Sequence, residues 1–338
     1  MNHPYRIGFA LTTAIAALAI FSPGCTPADK APVTPSAPPP APPEGFASVE
    51  EAMTAVMSGR VPMVDTSKEV PPDVVETKDI EYGRVGDRTL LLDLYMPVAP
   101  ANPLPVLIFI HGGGWYKGDR ADYKYYTVYY AQRGYAVATI SYRLSDEAKS
   151  PTAIEDAKCA VRWVRANSAT YGFEHNSVAV IGGSAGGHIA MMTGYTEGDP
   201  AFEGSGGHAE HSSAVQAVVN FYGPSDLTTE QARIASEVTR FIGKRYEEDP
   251  DVYAQASPIT HVDSDCPPTL IFHGSIDQLV PVAQSEALAQ KLRAAGVPCD
   301  LHVLDGWPHT MDAAQAVNDY CRHYLDAFLD QHVPRPMQ

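Results

Sequence analysis

Val178-Ala-Val-Ile-Gly-Gly-Ser-Ala-Gly-Gly-His-Ile-Ala190 passes from an apolar strand pattern through Gly182-Gly-Ser184-Ala-Gly186 straight into a helical pattern. Strand, Gly-x-Ser-x-Gly and helix in immediate succession is the layout of a nucleophile elbow. A serine held in so tight a turn needs neighbours without bulky side chains, because strand and helix must approach closely for the hydroxyl to stand free. The helix that follows also presents its first backbone N–H groups there, and these favour developing negative charge. A dinucleotide fingerprint would carry glycine where Ser184 stands, and a phosphate loop would end in Gly-Lys-Ser/Thr, so neither motif describes the segment.

Three further segments begin, like the first, with an apolar run. In Ile108-Phe-Ile-His-Gly-Gly-Gly-Trp115, consecutive glycines let backbone N–H groups share one space, which is how an oxyanion hole is built. Gly113 and Gly114 are the expected donors, with the backbone of Ala185 as the third. Thr269-Leu-Ile-Phe-His-Gly-Ser-Ile-Asp277 and Leu301-His-Val-Leu-Asp-Gly-Trp-Pro-His309 then place an acid and a histidine past two later strand patterns. The carboxyl ends of parallel strands line one crevice, so these groups can converge. Serine, acid, histidine is also the chain order expected of an elbow nucleophile. Ser184 is weak until His309 accepts its proton, while Asp277 is expected to hold the imidazole tautomer and stabilise the imidazolium. Asp305 is the reserve acid, and His111 and His273 read as packing residues of their loops. Trp115 and Trp307 flank the proposed loops and are candidates for substrate contact. The scheme calls for no cofactor and no metal. His208 and His211 lack a third ligand at a recognisable spacing and read as part of a solvated loop at 196–213.

Around these segments, strand patterns at 90–95, 106–110, 136–140, 178–181, 217–221, 269–272 and 301–304 alternate with helical patterns at 123–133, 152–167, 185–193, 286–295 and 313–330. Several of the strand runs are almost wholly apolar, as strands covered on both faces are, which predicts an α/β fold with a largely parallel sheet. The five tyrosines of 123–130 fit either an amphipathic helix that is half core and half surface or an aromatic binding platform.

Arg6 ahead of the apolar run 7–21 has the layout of an export signal, too short for a comfortable membrane span. Ser22-Pro-Gly-Cys25 is similar to a bacterial lipoprotein signal, which implies export and a lipid on Cys25 holding the chain to the cell envelope; the alternatives are cleavage nearby without a lipid, with secretion, and an uncleaved anchor. Composition therefore divides the chain into a signal at 1–24, a Pro/Ala-rich tether at 25–45, an extension at 46–72 with a short helix and no assigned chemistry, and a catalytic domain at 73–332. Cys266 and Cys299 each precede a neighbouring strand and could pair; the alternative is that they, Cys159 and Cys321 are all small buried thiols. A formal charge of -16 with no basic stripe argues against a nucleic-acid partner.

With these elements in place, the stretch from Asp73 to about Gln331 resembles the α/β-hydrolase carboxylesterases related to hormone-sensitive lipase, especially the bacterial feruloyl and acetyl-xylan esterase-like (BD-FAE-like) group. The likeness runs through Leu91-Leu-Asp-Leu-Tyr-Met-Pro97, His111-Gly-Gly-Gly-Trp115, Ser141-Tyr-Arg143, Tyr222-Gly-Pro224, His273-Gly-Ser-Ile-Asp277 and His309. It implies an eight-stranded sheet, a triad of Ser184, Asp277 and His309, and oxyanion donors at Gly113, Gly114 and Ala185. Relatives often carry a substantial N-terminal cap; the proline-rich tether occupies much of that space here, so an open site suited to bulky or polymer-linked esters is expected. The implied activity is hydrolysis of carboxylic esters through an acyl-serine intermediate, with acetyl or feruloyl groups on plant polysaccharide as substrates. Amide hydrolysis by the same triad, and an inactive surface-tethered carbohydrate-binding protein, are the alternatives.

Overall fold

Strands that are apolar at every position have to be covered on both faces. In the computed structural model, which describes residues 39–66, 69–100 and 103–336, such strands occupy the middle of an eight-stranded sheet. β1 (Val74–Val85) and β2 (Arg88–Pro97) form one edge, and β8 (Cys299–Leu304) the other. Between them, β3 (Leu104–Ile110), β4 (Ala136–Ile140), β6 (Ala217–Phe221) and β7 (Thr269–Gly274) are buried throughout, and β5 (Phe173–Gly183) is buried over its second half. The order is β1-β2-β4-β3-β5-β6-β7-β8. β2 pairs antiparallel with both β1 and β4, and every later pairing is parallel.

Helix α1 (Val49–Met57) lies ahead of the sheet and is capped by Ser48, whose Oγ accepts from Glu51 N at 3.2 Å, while the Glu51 carboxylate accepts from Ala47 N, just before the cap, at 3.0 Å. On one face of the sheet, α2 (Lys124–Ala131) packs Tyr126 and Tyr130 against Phe109 and Ile181. On the other, α3 (Thr152–Ala166), α4 (Ala185–Tyr195) and α5 (Val282–Ala294) bury Ile154, Ile189 and Leu288 with Ile108 and Val180. α6 (Gln315–His332) joins α2, adding Val317 and Leu325 to the same core. All eleven residues of α4 are buried, so the helix behind the elbow has no solvent face.

Most elements fall where their periodicity predicts, and the differences have local causes. β1 is absent from the sequence reading because Asp79 takes φ 58° and the register with β2 shifts there, which destroys the alternation a half-buried strand would show. The stretch 196–213 contains a short helix, Pro200–Glu203, that is held to α3 by Glu203 with Lys158 at 2.8 Å and with Arg162 at 2.7 Å. The tyrosine run divides by depth: Tyr123, Tyr126 and Tyr130 are buried, whereas Tyr125 and Tyr129 are half-buried.

The end of the tether and the extension belong to the same compact unit as the sheet, Pro40–Gln338. One expectation changes. Cys266 and Cys299 do not pair, and Cys159, Cys266, Cys299 and Cys321 are free thiols. Cys266 is turned into its own loop instead, where its Sγ accepts from Asp263 N at 3.4 Å. The export signal and Cys25 lie outside the described residues; among those described, no helix is long and apolar enough to cross a membrane.

Candidate active site

β5 ends at Gly183 and α4 begins at Ala185, leaving Ser184 alone in the turn at φ 54°, ψ -123°. A side chain rarely sits in this region of backbone space, and the turn keeps it only because its surroundings are closely packed. A Cβ on Gly182 would lie 2.3 Å from the Gly186 carbonyl carbon, and one on Gly186 would lie 2.0 Å from the Ile110 carbonyl oxygen. The glycines are thus what lets strand, turn and helix come together. Ser184 N donates to Phe221 O at 2.8 Å, which pins the turn to β6.

The loops after β7 and β8 bring the acid and the histidine to the same sheet edge. Ser184 Oγ lies 2.9 Å from His309 Nε2, and His309 Nδ1 lies 2.6 Å from Asp277 Oδ2. An Nδ1–H donating to the carboxylate leaves Nε2 free to accept the serine proton. Asp277 is buried, and its Oδ1 accepts from Leu279 N at 2.9 Å and Val280 N at 3.0 Å. Burial alone would raise this carboxyl, but hydrogen bonds from His273 and His309, the His309 charge and the Val280 N–H outweigh it and pull the group down to about 2. His273 Nε2 stands 3.2 Å from Asp277 Oδ2 and 2.8 Å from Val280 O, while its Nδ1 meets Ser285 Oγ at 2.7 Å. His273 is therefore a packing residue that also supports the acid.

Gly112, Gly113 and Gly114 line the same cavity as Ser184 and Ala185, with Gly113 at φ 104° and Gly114 at φ 61°. Their loop backs directly onto the elbow, since a Cβ on Gly112 would stand 3.4 Å from Ser184 Cβ. His111 holds this loop from beneath: its Nδ1–H donates to Gly112 O at 2.8 Å, and its ring stacks on Tyr142 at 4.3 Å.

The cavity measures about 740 Å³. Part of its wall is apolar, with Val238, Ile234 and Leu279 supplied by the short helices Glu230–Ile234 and Ser236–Ile242 and by the loop after Asp277. Ile234 and Leu279 are 79% and 71% exposed, so the apolar wall continues out to solvent. These helices are too short to show a hydrophobic repeat, so nothing in the sequence marks them. A more polar part of the wall holds Tyr123, Tyr125, Tyr222 and Asp312. The Tyr222 ring lies 4.7 Å from that of His309, and its hydroxyl donates to buried Asp312, which also accepts from Tyr125 at 3.1 Å. Burial raises the Asp312 carboxyl above its ordinary range even though both tyrosines donate to it. The strand-end rule that singled out Asp277 applies equally to Tyr222, which follows β6 directly; nothing in the spacing marks Asp312.

The two tryptophans separate. Trp115 reaches the cavity from within the core, stacked on Phe241 at 4.6 Å with its indole N–H donating to His188 Nδ1 at 3.3 Å. Trp307 does not line the cavity: it packs edge-on against Phe46 of the extension at 5.3 Å and donates to Pro43 O, at the end of the tether, at 3.1 Å. Asp305 is exposed and bonds Ser275 at 2.9 Å, away from His309. His208 and His211 lie on the loop after the short helix Pro200–Glu203, and among the described residues no three His, Cys, Asp or Glu side chains are grouped to hold a metal. Val64 and Thr66, from the extension given no chemistry, do line the cavity.

Residues 92–292 match the BD-FAE family model. Esterase LipC of Mycobacterium tuberculosis is 35% identical over 269 residues, which cover 73% of this chain and 66% of the relative. Esterase LipQ of the same organism is 35% identical over 250 residues, covering 72% of this chain and 59% of the relative. This chain therefore spans less than two thirds of the length of these curated relatives. Among solved structures, a truncated form of a carbohydrate esterase from gut microbiota superposes with a TM-score of 0.67 at 29% identity, over 80% of this chain and 99% of that one. The thermophilic esterase Est2 of Thermogutta terrifontis does so with a TM-score of 0.67 at 26% identity, over 79% of this chain and 95% of that one. Mostly parallel sheet, elbow turn, matched span and superposed esterases agree, and the chain belongs to the BD-FAE family of α/β-hydrolases.

Proposed function

We propose that the protein is a serine carboxylesterase that works through an acyl-Ser184 intermediate. The observation that carries this reading is the unbroken chain from Ser184 Oγ through His309 to Asp277, at 2.9 and 2.6 Å, beside a glycine loop. His309 Nε2 takes the hydroxyl proton as Ser184 Oγ bonds to the ester carbonyl carbon. The carbonyl oxygen becomes an oxyanion, held by the N–H groups of Gly113, Gly114 and Ala185. Collapse breaks the bond to the alcohol, which leaves with the proton from His309. Water then repeats the sequence, giving up a proton to His309, and releases the acid and free Ser184.

Acetyl or feruloyl esters of plant polysaccharide are the proposed substrates. Support comes from the family match, from the resemblance to a carbohydrate esterase, and from a cavity whose apolar wall opens to solvent at Ile234 and Leu279. Export on the signal at 1–24, with Cys25 lipidated and the enzyme on the cell envelope, is the accompanying proposal for location, supported by the layout of Arg6, the run 7–21 and Cys25.

The purified protein should hydrolyse p-nitrophenyl acetate and take up a fluorophosphonate label, and Ser184→Ala should lose both. Equal activity in the two proteins would remove Ser184 as nucleophile. Rates on acetylated xylan, methyl ferulate and the matching acetamide then decide the substrate, and a preference for the amide would turn the assignment to amide hydrolysis.

A further inference from the structure

We infer that residues 43–66 are a positioning strap for His309, holding the loop that carries it on both flanks. This inference rests on the reading of His309 as the general base.

The His309 loop runs between the end of β8 at Leu304 and the start of α6 at Gln315. On its leading side, Phe46 N donates to Gly306 O at 2.9 Å, the Trp307 indole N–H donates to Pro43 O, and the Phe46 ring meets Trp307 edge-on. The approach is close enough to require glycine, because a Cβ on Gly45 would stand 2.0 Å from Asp305 O. Trp307 in turn accepts from Ile276 N at 3.2 Å through its carbonyl, next to the turn that holds Asp277. The strap is thereby connected to both the base and the acid.

On the trailing side, Val64 N donates to Ala313 O at 2.9 Å, and Gln315 N donates to Pro62 O at 2.8 Å, with Met63 and Ala314 paired as an isolated bridge. Gln315 opens α6, so its N–H has no partner within the helix and the strap satisfies it. Between the two clamps Thr310 takes φ 57°, a conformation a β-branched residue keeps only under outside constraint. Val64 and Thr66 go on to line the cavity, so the strap borders the cleft as well as the loop behind it. Both the strap and the His309 loop lie outside the matched span 92–292, and the connection between them is read from the structure alone.

The physical consequence concerns tolerance. A base that sits 2.9 Å from its nucleophile works only if its loop is held, and displacement by about 1 Å costs on the order of a hundredfold in rate. Loosening the strap at Gly45 or Phe46, neither of which lines the cavity, should therefore lower kcat through His309 while substrate binding stays nearly as it was.

The test compares Phe46→Ala and Gly45→Val with Phe202→Ala in otherwise intact protein. Phe202 is buried on the short helix Pro200–Glu203, away from the cavity, and serves as a destabilised control. With p-nitrophenyl acetate, the two strap variants should lose about ten- to a hundredfold in kcat with little change in KM. Phe202→Ala should lower the thermal midpoint to a similar extent and keep its kcat. Phe46→Tyr, which retains a ring against Trp307, should retain kcat. If kcat is unchanged in Phe46→Ala, or falls no further than in Phe202→Ala at matched midpoints, the positioning role is overturned. Should Gly45→Val not fold, the Phe46 pair decides the matter. Failure of the esterase reading itself is visible separately, as an unsubstituted protein without activity or an active Ser184→Ala.

Discussion

Asp277 Oδ2 lies 2.6 Å from His309 Nδ1 and 3.2 Å from His273 Nε2, so one carboxylate oxygen holds two imidazoles. Asparagine at 277 would fit the same space but could present an N–H to His309, favouring the tautomer that cannot accept the Ser184 proton. Asp277→Asn should lower kcat by about 10³- to 10⁴-fold while the far-UV spectrum stays native. Steady-state kinetics on p-nitrophenyl acetate checks this, and a loss below tenfold would show that the acid has another role.

The elbow makes a prediction about folding. Gly186→Ala drives a methyl group to 2.0 Å from Ile110 O, which belongs to a fully buried strand and cannot move aside. The expected loss is about 3 kcal/mol or more, measured as a shift in urea midpoint. A variant as stable as the parent would mean that β3 and α4 can separate.

His188 should set an acid limb of stability. Its Nε2 meets Ala256 O at 2.7 Å and its Nδ1 accepts from Trp115, an arrangement that fits only the neutral ring. Burial lowers its pKa from 6.5 to about 4, only partly offset by the bond to Ala256. The unfolded chain therefore binds a proton first as pH falls, and stability should decline from about pH 6.5 down to about pH 4, by a few kcal/mol in all. Above pH 6.5 the group is neutral in both states and contributes no slope. Denaturant midpoints across this range test it, and His188→Gln, which keeps a donor and an acceptor, should flatten the limb.

Buried Asp312 accepts from Tyr222 and Tyr125. Asp312→Ala leaves both hydroxyls without that partner and should destabilise by about 1–3 kcal/mol. Asp312→Asn keeps an acceptor and removes the burden of a buried charge, so it should cost less. Equal losses in thermal denaturation would argue that the charge itself is needed.

The thiols offer a chemical check. Burial raises Cys266 and Cys299 to about 11, and it also holds Cys321 well above the ordinary thiol range. At pH 8 the native protein should react slowly with iodoacetamide, and all four cysteines after residue 25 should react in denaturant. Two fewer reactive thiols without reductant would reveal a Cys266–Cys299 bond.

Much of this molecule was written in local patterns. Unbroken apolar runs at 106–110, 136–140 and 217–221 demand cover on both faces, and each marks a buried strand of the parallel sheet. The candidate positions Ser184, Asp277 and His309 were legible for the same reason: each follows an apolar run, and a parallel sheet gathers such positions along one edge. Gly182 and Gly186 mark the elbow because steric exclusion between neighbouring backbones acts over a few residues.

What only the tertiary structure decided are the contacts that have no period and no spacing. Trp307 turns from the cavity to Phe46, Asp312 meets Tyr125 and Tyr222, and Val64 reaches the cleft, each across a large separation in the chain. The bulge at Asp79 hid a strand, and the short helices beside the cavity were too brief to show a repeat. Local sterics and hydrophobic alternation are carried by neighbouring residues and so are present in the sequence itself. Which distant surfaces pack together depends on the shape of the whole fold, and that shape exists only once the chain has closed on itself.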